Sequence, residues 1–391
     1  LGKNNTYFCD GDCIVDKDAN LLVEGGVKIK MGKGSRITFL GNIFFIGDDN
    51  RIYIMPNNEN SKAGDLGFIY FFENDYVELD NVDIGYGGYV EFPGKVGDMI
   101  QVDKAKNFIV KNSYFHDTYL ASGANMNIVD SNISIENSKF YNSLYGFKIA
   151  KSKGIIQNNE FSNNHYNLGL YNVDNGLKVY GNKILNGINQ AIFGQNILAD
   201  IKDNILENNK FNLISMISLN IESGEFTLSN GIYNIYEANI GYGATLKVSE
   251  GTIFKSYANH GRFKIYGKLL LNGSTDNPII FTSFSNDFYG GDSNLDGNIF
   301  SPKVGDWGYL EFSYGSSGSA IKNVLFEYGG NYELMGINHG VIYVNGGSNI
   351  QIENTTFDHG FYRNVEINNG ENINITNSKI YNSNIYGIDV I

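Results

Sequence analysis

Proline, cysteine, arginine and tryptophan are all scarce in this chain, and each scarcity excludes something. Four prolines among 391 residues rule out a collagen-like or proline-rich chain. A charged fraction of 18% is too low for a coiled coil, and 42% apolar residues are too many for a disordered chain. Only four of the basic residues are arginines, Arg36, Arg51, Arg262 and Arg363, and the net charge is −13. Nucleic acid is excluded as a partner, because neutralising phosphates takes clustered Lys and Arg. No apolar run approaches the roughly 20 residues that span a bilayer, and Leu1-Gly2-Lys3 does not open a signal peptide. A start without Met reads as a processed or cut-out portion of something longer. The two cysteines, Cys9 and Cys13, flank Asp-Gly-Asp. That spacing suits either a small disulfide loop or a free or metal-bound pair.

What is abundant is Gly (47), Tyr (27), Phe (26) and Asn. A short phrase recurs: an aliphatic residue, a variable one, Asn, two more positions, then Phe or Ile. It reads Val110-Lys111-Asn112-Ser113-Tyr114-Phe115, Ile135-Glu136-Asn137-Ser138-Lys139-Phe140 and Ile156-Gln157-Asn158-Asn159-Glu160-Phe161, and returns around Gly181, Asn354 and Asn377. The spacings of about 21–25 residues are those of a solenoid coil. Within each coil apolar residues alternate, as in Ile133/Ile135, Phe147/Ile149 and Leu168/Leu170, the period of short strands with one face buried. A leucine-rich repeat would show a fixed Leu ladder, which is missing. The fold predicted is all-β, a right-handed parallel β-helix whose Asn-rich turns stack amide on amide.

A longer repeat lies over this one. Gly25, Gly41 and Gly47 match Gly251, Gly267 and Gly273 at an offset of 226, whereas Tyr86 and Asn112 match Tyr328 and Asn354 at 242. The prediction is a single β-helix domain over 1–391 with related halves, 19–150 and 245–391, joined by plainer coils across 151–244. The change of offset places an inserted loop at about 275–306.

That insertion carries Asp292-Ser293-Asn294-Leu295-Asp296-Gly297-Asn298, oxygen ligands at positions 1, 3 and 5 and Gly at 6, as in the first half of a calcium loop. Asp292, Asn294, Asp296 and the Asn298 carbonyl would hold Ca2+, with Asp306 or Asp287 completing the shell because position 12 is Lys303. The alternative is a polar turn capping its own backbone. Asp10, Asp12, Asp16 and Asp18 lack the Gly and read as solvated. For catalysis the sequence offers neither a paired-Asp set near Gly-His-Gly nor an Arg base beside acidic ligands. His116, His165, His260, His339 and His359 read as turn residues, and Asp48-Asp49 as part of a turn, so no catalytic residue is assigned.

Aromatic residues give a different prospect. In Trp307-Gly308-Tyr309-Leu310-Glu311-Phe312, alternation puts Leu310 and Phe312 on one face and Trp307, Tyr309 and Glu311 on the other, which the charge of Glu311 marks as solvent. Phe68 and Tyr70 fall outward in the equivalent stretch, with Tyr86 and Tyr89 nearby, and Tyr328, Tyr332 and Tyr343 in the second half. Spaced outward rings would stack on the C–H faces of pyranose rings. Alternatively the rings cover one another as ordinary β formers.

Val23-Glu24-Gly25-Gly26-Val27-Lys28-Ile29, Asn277-Pro278-Ile279-Ile280-Phe281-Thr282-Ser283 and Gly305-Asp306-Trp307-Gly308 resemble phrases of secreted bacterial right-handed β-helix proteins. More narrowly, the Ile/Asn/Lys/Tyr-rich, aromatic-rich composition is similar to the C-terminal domain of the tapirins, surface adhesins of thermophilic plant-biomass-degrading bacteria. That resemblance implies an extracellular or cell-surface location and non-catalytic attachment to cellulose or another plant cell-wall glycan. It transfers no binding residue by position. A β-helical polysaccharide lyase or glycoside hydrolase using Asp292, Asp296 or Asp306 is the second expectation, and a structural surface-layer or stalk protein the third.

Overall fold

The computed structural model describes residues 1–88, 97–119, 123–257, 260–297, 299–331 and 339–391. No helix occurs among the described residues, and parallel strands stack as a β-solenoid of about 16 turns. The alternation seen in the sequence is the cause. In Ile52–Pro56 the isoleucines and Pro56 are buried while Tyr53 and Met55 are only half-buried, and most strands repeat this two-sided pattern. Equivalent inward residues stack in register, so that Val110 pairs with both Leu79 and Ile135.

The turns explain the asparagines. Asn112, Asn137, Asn158, Asn354 and Asn377, the third residue of each recurring phrase, all adopt a left-handed conformation with φ of 49–55°. Asn tolerates this backbone better than other residues with a Cβ. The residue after each turn faces inward. Ser138 donates its backbone N–H to Asn159 Oδ1 (2.9 Å), and Asn159 donates its own to Asn182 Oδ1 (2.9 Å). Removing one such side chain would leave a buried N–H unpaired, at a cost of about 1–3 kcal/mol.

The chain divides into two compact units. The N-terminal unit comprises Leu1–Phe193 with Ala199–Phe211, the C-terminal unit Gly194–Leu198 with Asn212–Ile391. In the N-terminal unit one parallel sheet runs from Thr6–Cys9 to Ile205–Glu207 and another from Asn20–Glu24 to Asp200–Lys202. A third contains Arg36–Phe39, Phe68–Phe72, Ile100–Asp103, Ala124–Val129 and Tyr145–Ala150. Its core holds stacked phenylalanines, Phe39 on Phe71 (4.8 Å) and Phe115 on Phe140 (4.9 Å) on Phe161 (5.1 Å). Cys9 and Cys13 are joined as a disulfide, which settles the alternatives left open by their spacing.

The C-terminal unit has its own stack, Phe254, Phe281, Phe326 and Phe357, at successive centroid distances of 4.3, 5.0 and 5.1 Å. Ile279–Ser283 is an ordinary coil strand, paired with Ile253–Ser256 and Val324–Glu327. The excursion therefore begins after Ser283, later than the offset arithmetic suggested, and rejoins the coil at the strand Leu310–Ser313.

Candidate functional site

On the strand Phe68–Phe72, Ile69 and Phe71 enter the core and Phe68, Tyr70 and Phe72 face outward, half-buried. The three rings form a row, with centroids 5.9 Å apart between Phe68 and Tyr70 and 5.6 Å between Tyr70 and Phe72. The following coil sets Gln101 beside Tyr70 and Asp103 beside Phe72. Tyr70 donates its hydroxyl to Asp103 Oδ2 (2.8 Å), and Gln101 Nε2 donates to Asp103 Oδ1 (2.5 Å). One coil further, Asn127 Nδ2 donates to Gln101 Oε1 (3.1 Å) and Asp98 Oδ2 (2.8 Å). Burial, the bond to Asp103 and the charges of Asp103 and Glu73 hold the Tyr70 phenol well above its ordinary range, so it stays a neutral donor. A strip of rings beside a fixed row of amides and carboxylates has the composition of a surface that stacks on apolar ring faces and meets hydroxyls.

Tyr86 does not join this row. It sits in a left-handed turn after the strand Val82–Gly85, edge-on to His116 (5.4 Å). His116 is itself a finding that residue order concealed. Its Nδ1 lies 2.7 Å from Asp117 Oδ2 and its Nε2 2.9 Å from Asp83 Oδ1, while Tyr141 stacks on the ring at 5.0 Å. Burial opposes the imidazolium, but the hydrogen bonds to Asp117 and Asp83 outweigh it and raise the group to about 9. The pair His116-Asp117 was visible in the sequence. Asp83 was not, because only coil stacking brings it there.

The C-terminal unit overturns the expectation for Trp307, Tyr309 and Tyr343. Trp307 is 1% exposed, its indole N–H donates to the Glu327 carbonyl (2.6 Å), and the ring packs beside Phe281 and on Gly329, where a Cβ would stand 2.6 Å from it. Tyr309 is 2% exposed, covered by Arg262 (5.3 Å) and His339 (5.0 Å). Tyr343 is buried, stacked on His339 at 3.8 Å. The period-two argument failed at Trp307 because the strand starts only at Leu310. It failed to give an open face at Tyr309 because Glu311, read as a mark of solvent, is paired with Arg262 at 3.0 Å, both side chains largely buried. Tyr328 is half-buried and stacks on His359 (5.1 Å). Tyr89, Tyr332 and Asn298 lie outside the described residues.

Glu327 and Asp358 face one another across adjacent strands in register. Glu327 accepts hydrogen bonds from Thr282 (3.3 Å) and Asn286 (3.1 Å), and burial together with the charge of Asp358 raises its carboxyl. Asp358 Oδ1 accepts a hydrogen bond from Asn382 Nδ2 (2.9 Å), and His359 Nδ1 lies 2.8 Å from the same oxygen.

In the excursion, Asp287, Asp292 and Asp296 bring carboxylate oxygens within 4.8 Å of one another. Asp292 accepts the N–H groups of Asp296 (3.1 Å) and Gly297 (2.9 Å), which closes the turn, and Asn294 Nδ2 donates to Asp296 (2.7 Å). Both oxygens of Asp287 and Oδ1 of Asn294 are buried without a hydrogen-bond partner, which is how ligands for a hard cation would present themselves. Asp306 is not in this group. It accepts hydrogen bonds from Ser283 (2.5 Å) and the Lys303 N–H (2.8 Å), bracing the base of the excursion. The buried Lys255 donates to Gly291 O (2.7 Å) and Ser293 Oγ (2.9 Å), and burial lowers it to about 8 against the opposing pull of Asp287, Asp292 and Asp296.

No protein-family model and no curated protein matches the chain. Among solved structures it is similar to the A-modules of two Azotobacter vinelandii mannuronan C-5 epimerases. For AlgE4 the identity is 11% and the TM-score 0.28, and for AlgE6 11% and 0.29; each match covers 98% of this chain and 90% of the other. It is also similar to the Dettilon tailspike protein gp208, at 11% identity and a TM-score of 0.31, over 86% of this chain and 61% of that one. At such scores these likenesses carry no functional argument, and the tapirin resemblance finds no support among them.

Proposed function

We propose that this protein is a non-catalytic, secreted or cell-surface β-helix that adheres to insoluble plant polysaccharide, cellulose first, through the outward rings of its N-terminal unit. The observation that carries this reading is the row Phe68, Tyr70 and Phe72, three rings on one strand beside the amides and carboxylates of Gln101, Asp103 and Asn127. Rings so arranged supply apolar area for sugar faces at little entropic cost, and the adjoining side chains are already held by one another. The tapirin likeness in composition points the same way. Depletion onto microcrystalline cellulose, run beside reducing-end and unsaturated-product assays, tests it. Binding without product supports the reading, and product contradicts it.

Calcium enters as a structural cofactor of the excursion, with Asp287, Asp292, Asn294 and Asp296 as ligands. It would neutralise a cluster in which burial, and then the like charges of Asp292 and Asp296, already push the Asp287 carboxyl up. Titration calorimetry should detect one Ca2+ site, and millimolar Ca2+ should raise the melting temperature by several degrees. Asp292→Asn with Asp296→Asn should abolish both effects; an unchanged response in that variant would refute the ligand set.

One observation favours a second reading, a β-helical glycoside hydrolase. Glu327 with its raised carboxyl and Asp358 on the adjacent strand have the chemistry of a general acid and its partner carboxylate. Release of reducing ends by the parent chain, lost in Glu327→Gln, would establish that reading over the adhesin.

A further inference from the structure

In the C-terminal unit Ile240, Ile265, Phe312 and Val344 stack in register on consecutive coils. The turns that follow them carry Tyr242, Tyr266, Tyr314 and Gly346. Tyr242 is 67% and Tyr314 61% exposed, the largest exposures of any tyrosine among the described residues. Tyr266 is half-buried, its ring 5.3 Å from that of Tyr242. Neither exposed ring is loose. A Cβ at Gly346 would stand 2.5 Å from Cδ1 and Cζ of Tyr314, and one at Gly315 would stand 2.9 Å from Cδ1 of Tyr242. Each ring therefore lies close against a glycine of a later coil while most of it stays exposed. Both glycines have positive φ, 97° at Gly315 and 78° at Gly346, a backbone that suits Gly on its own account.

We infer that this column, Tyr242–Tyr266–Tyr314, is a second glycan-binding platform, taking a neutral β-linked polysaccharide along the coil stack; the inference rests on the carbohydrate reading above. Three features choose the ligand. Tyr242 and Tyr314 spring from positions two coils apart, about 10 Å at the usual strand spacing, a distance that alternate rather than consecutive pyranose rings of an extended chain can match. The turns Tyr314-Gly315-Ser316-Ser317 and Gly346-Gly347-Ser348-Asn349 carry no ionisable group but the phenol, and Lys268, two residues after Tyr266, reaches the end of the first at Gly318. A parallel row of exposed hydroxyl and amide groups accompanies it, Asn349 Nδ2 donating to Ser317 Oγ (3.0 Å) and Asn372 Nδ2 to Asn349 Oδ1 (2.7 Å). Rings held against the backbone beside a row of neutral donors and acceptors suit hydroxyl-bearing rings.

Hydroxyl-radical footprinting of the full chain with and without millimolar cellohexaose, read by peptide mass spectrometry, separates this platform from the N-terminal row. Protection of Tyr242 and Tyr314 by threefold or more is expected, and it should persist in Phe68→Ala/Tyr70→Ala. Tyr242→Ala/Tyr314→Ala should weaken cellohexaose binding three- to tenfold without changing the melting temperature, while Tyr314→Phe, which keeps the ring, should bind as the parent does. Protection confined to Phe68 and Tyr70 would overturn this platform and leave the N-terminal reading standing. Protection of Tyr242 and Tyr314 by raised protein concentration alone would assign the column to a second copy of the chain and overturn the glycan.

Discussion

The strands Phe68–Phe72 and Leu310–Ser313 occupy matching places in the two units: Ile69 pairs with Ile100, and Leu310 pairs with Ile342, 242 residues beyond Ile100. In the N-terminal unit Phe68 and Tyr70 face outward and half-buried, with Arg36 in register beside Phe68 and Gln101 beside Tyr70. In the C-terminal unit the residue at the Phe68 place is Tyr309, and Arg262, His339 and Tyr343 close over it. Strand alternation thus decides which way a side chain points, while the neighbouring coils decide whether anything can reach it. An aromatic residue on an outward phase is a binding candidate only when part of its ring stays exposed.

The two units also treat histidine oppositely. His116 lies between Asp83 and Asp117, whereas His260 is stacked on Tyr236 at 3.7 Å, and burial lowers it to about 4.

Removing Trp307 breaks the comparison most severely. Trp307→Ala should cost roughly 3–5 kcal/mol, because a buried ring and its hydrogen bond to the Glu327 carbonyl are both lost. Calorimetry should show the C-terminal unit melting several degrees earlier, with cellulose binding by the folded chain unchanged. Equal stability of variant and parent would show that the ring is not in the core.

The histidines should give effects of opposite sign, each on the order of 2 kcal/mol. His260, with a folded value near 4 against about 6.5 unfolded, contributes stability that is full above pH 6.5 and lost as pH falls towards 4. His116, raised to about 9, contributes stability that is full below pH 6.5 and lost as pH rises through 9. Denaturant unfolding across pH 4–10 should therefore lose its acid limb in part in His260→Gln and its alkaline limb in part in His116→Gln. A limb unaltered by its substitution would contradict the corresponding assignment.

Much of the fold was legible because it is local and periodic: the coil length from the Asn phrases, the buried phase from alternation, the turn from residues that accept positive φ. The direction of a candidate ring was legible only where a single strand determined it, as at Phe68 and Tyr70. Trp307 was misread because two residues of irregular backbone separate it from the strand whose parity was extended back to it. Asp287 and Asp306 were equal candidates along the chain, and only the folded excursion separates the carboxylate with two orphaned oxygens from the one hydrogen-bonded to Ser283 and Lys303. His116 and Asp83 meet across adjacent coils, a relation no local pattern expresses.

The outward row can be tested directly by equilibrium depletion of Phe68→Ala/Tyr70→Ala and Tyr309→Phe onto microcrystalline cellulose. If the N-terminal rings bind the glycan, the double variant should lose at least tenfold in affinity, about 1.4 kcal/mol, while Tyr309→Phe binds as the parent chain does. Undiminished binding by the double variant, with a loss in Tyr309→Phe, would contradict that placement of the binding face.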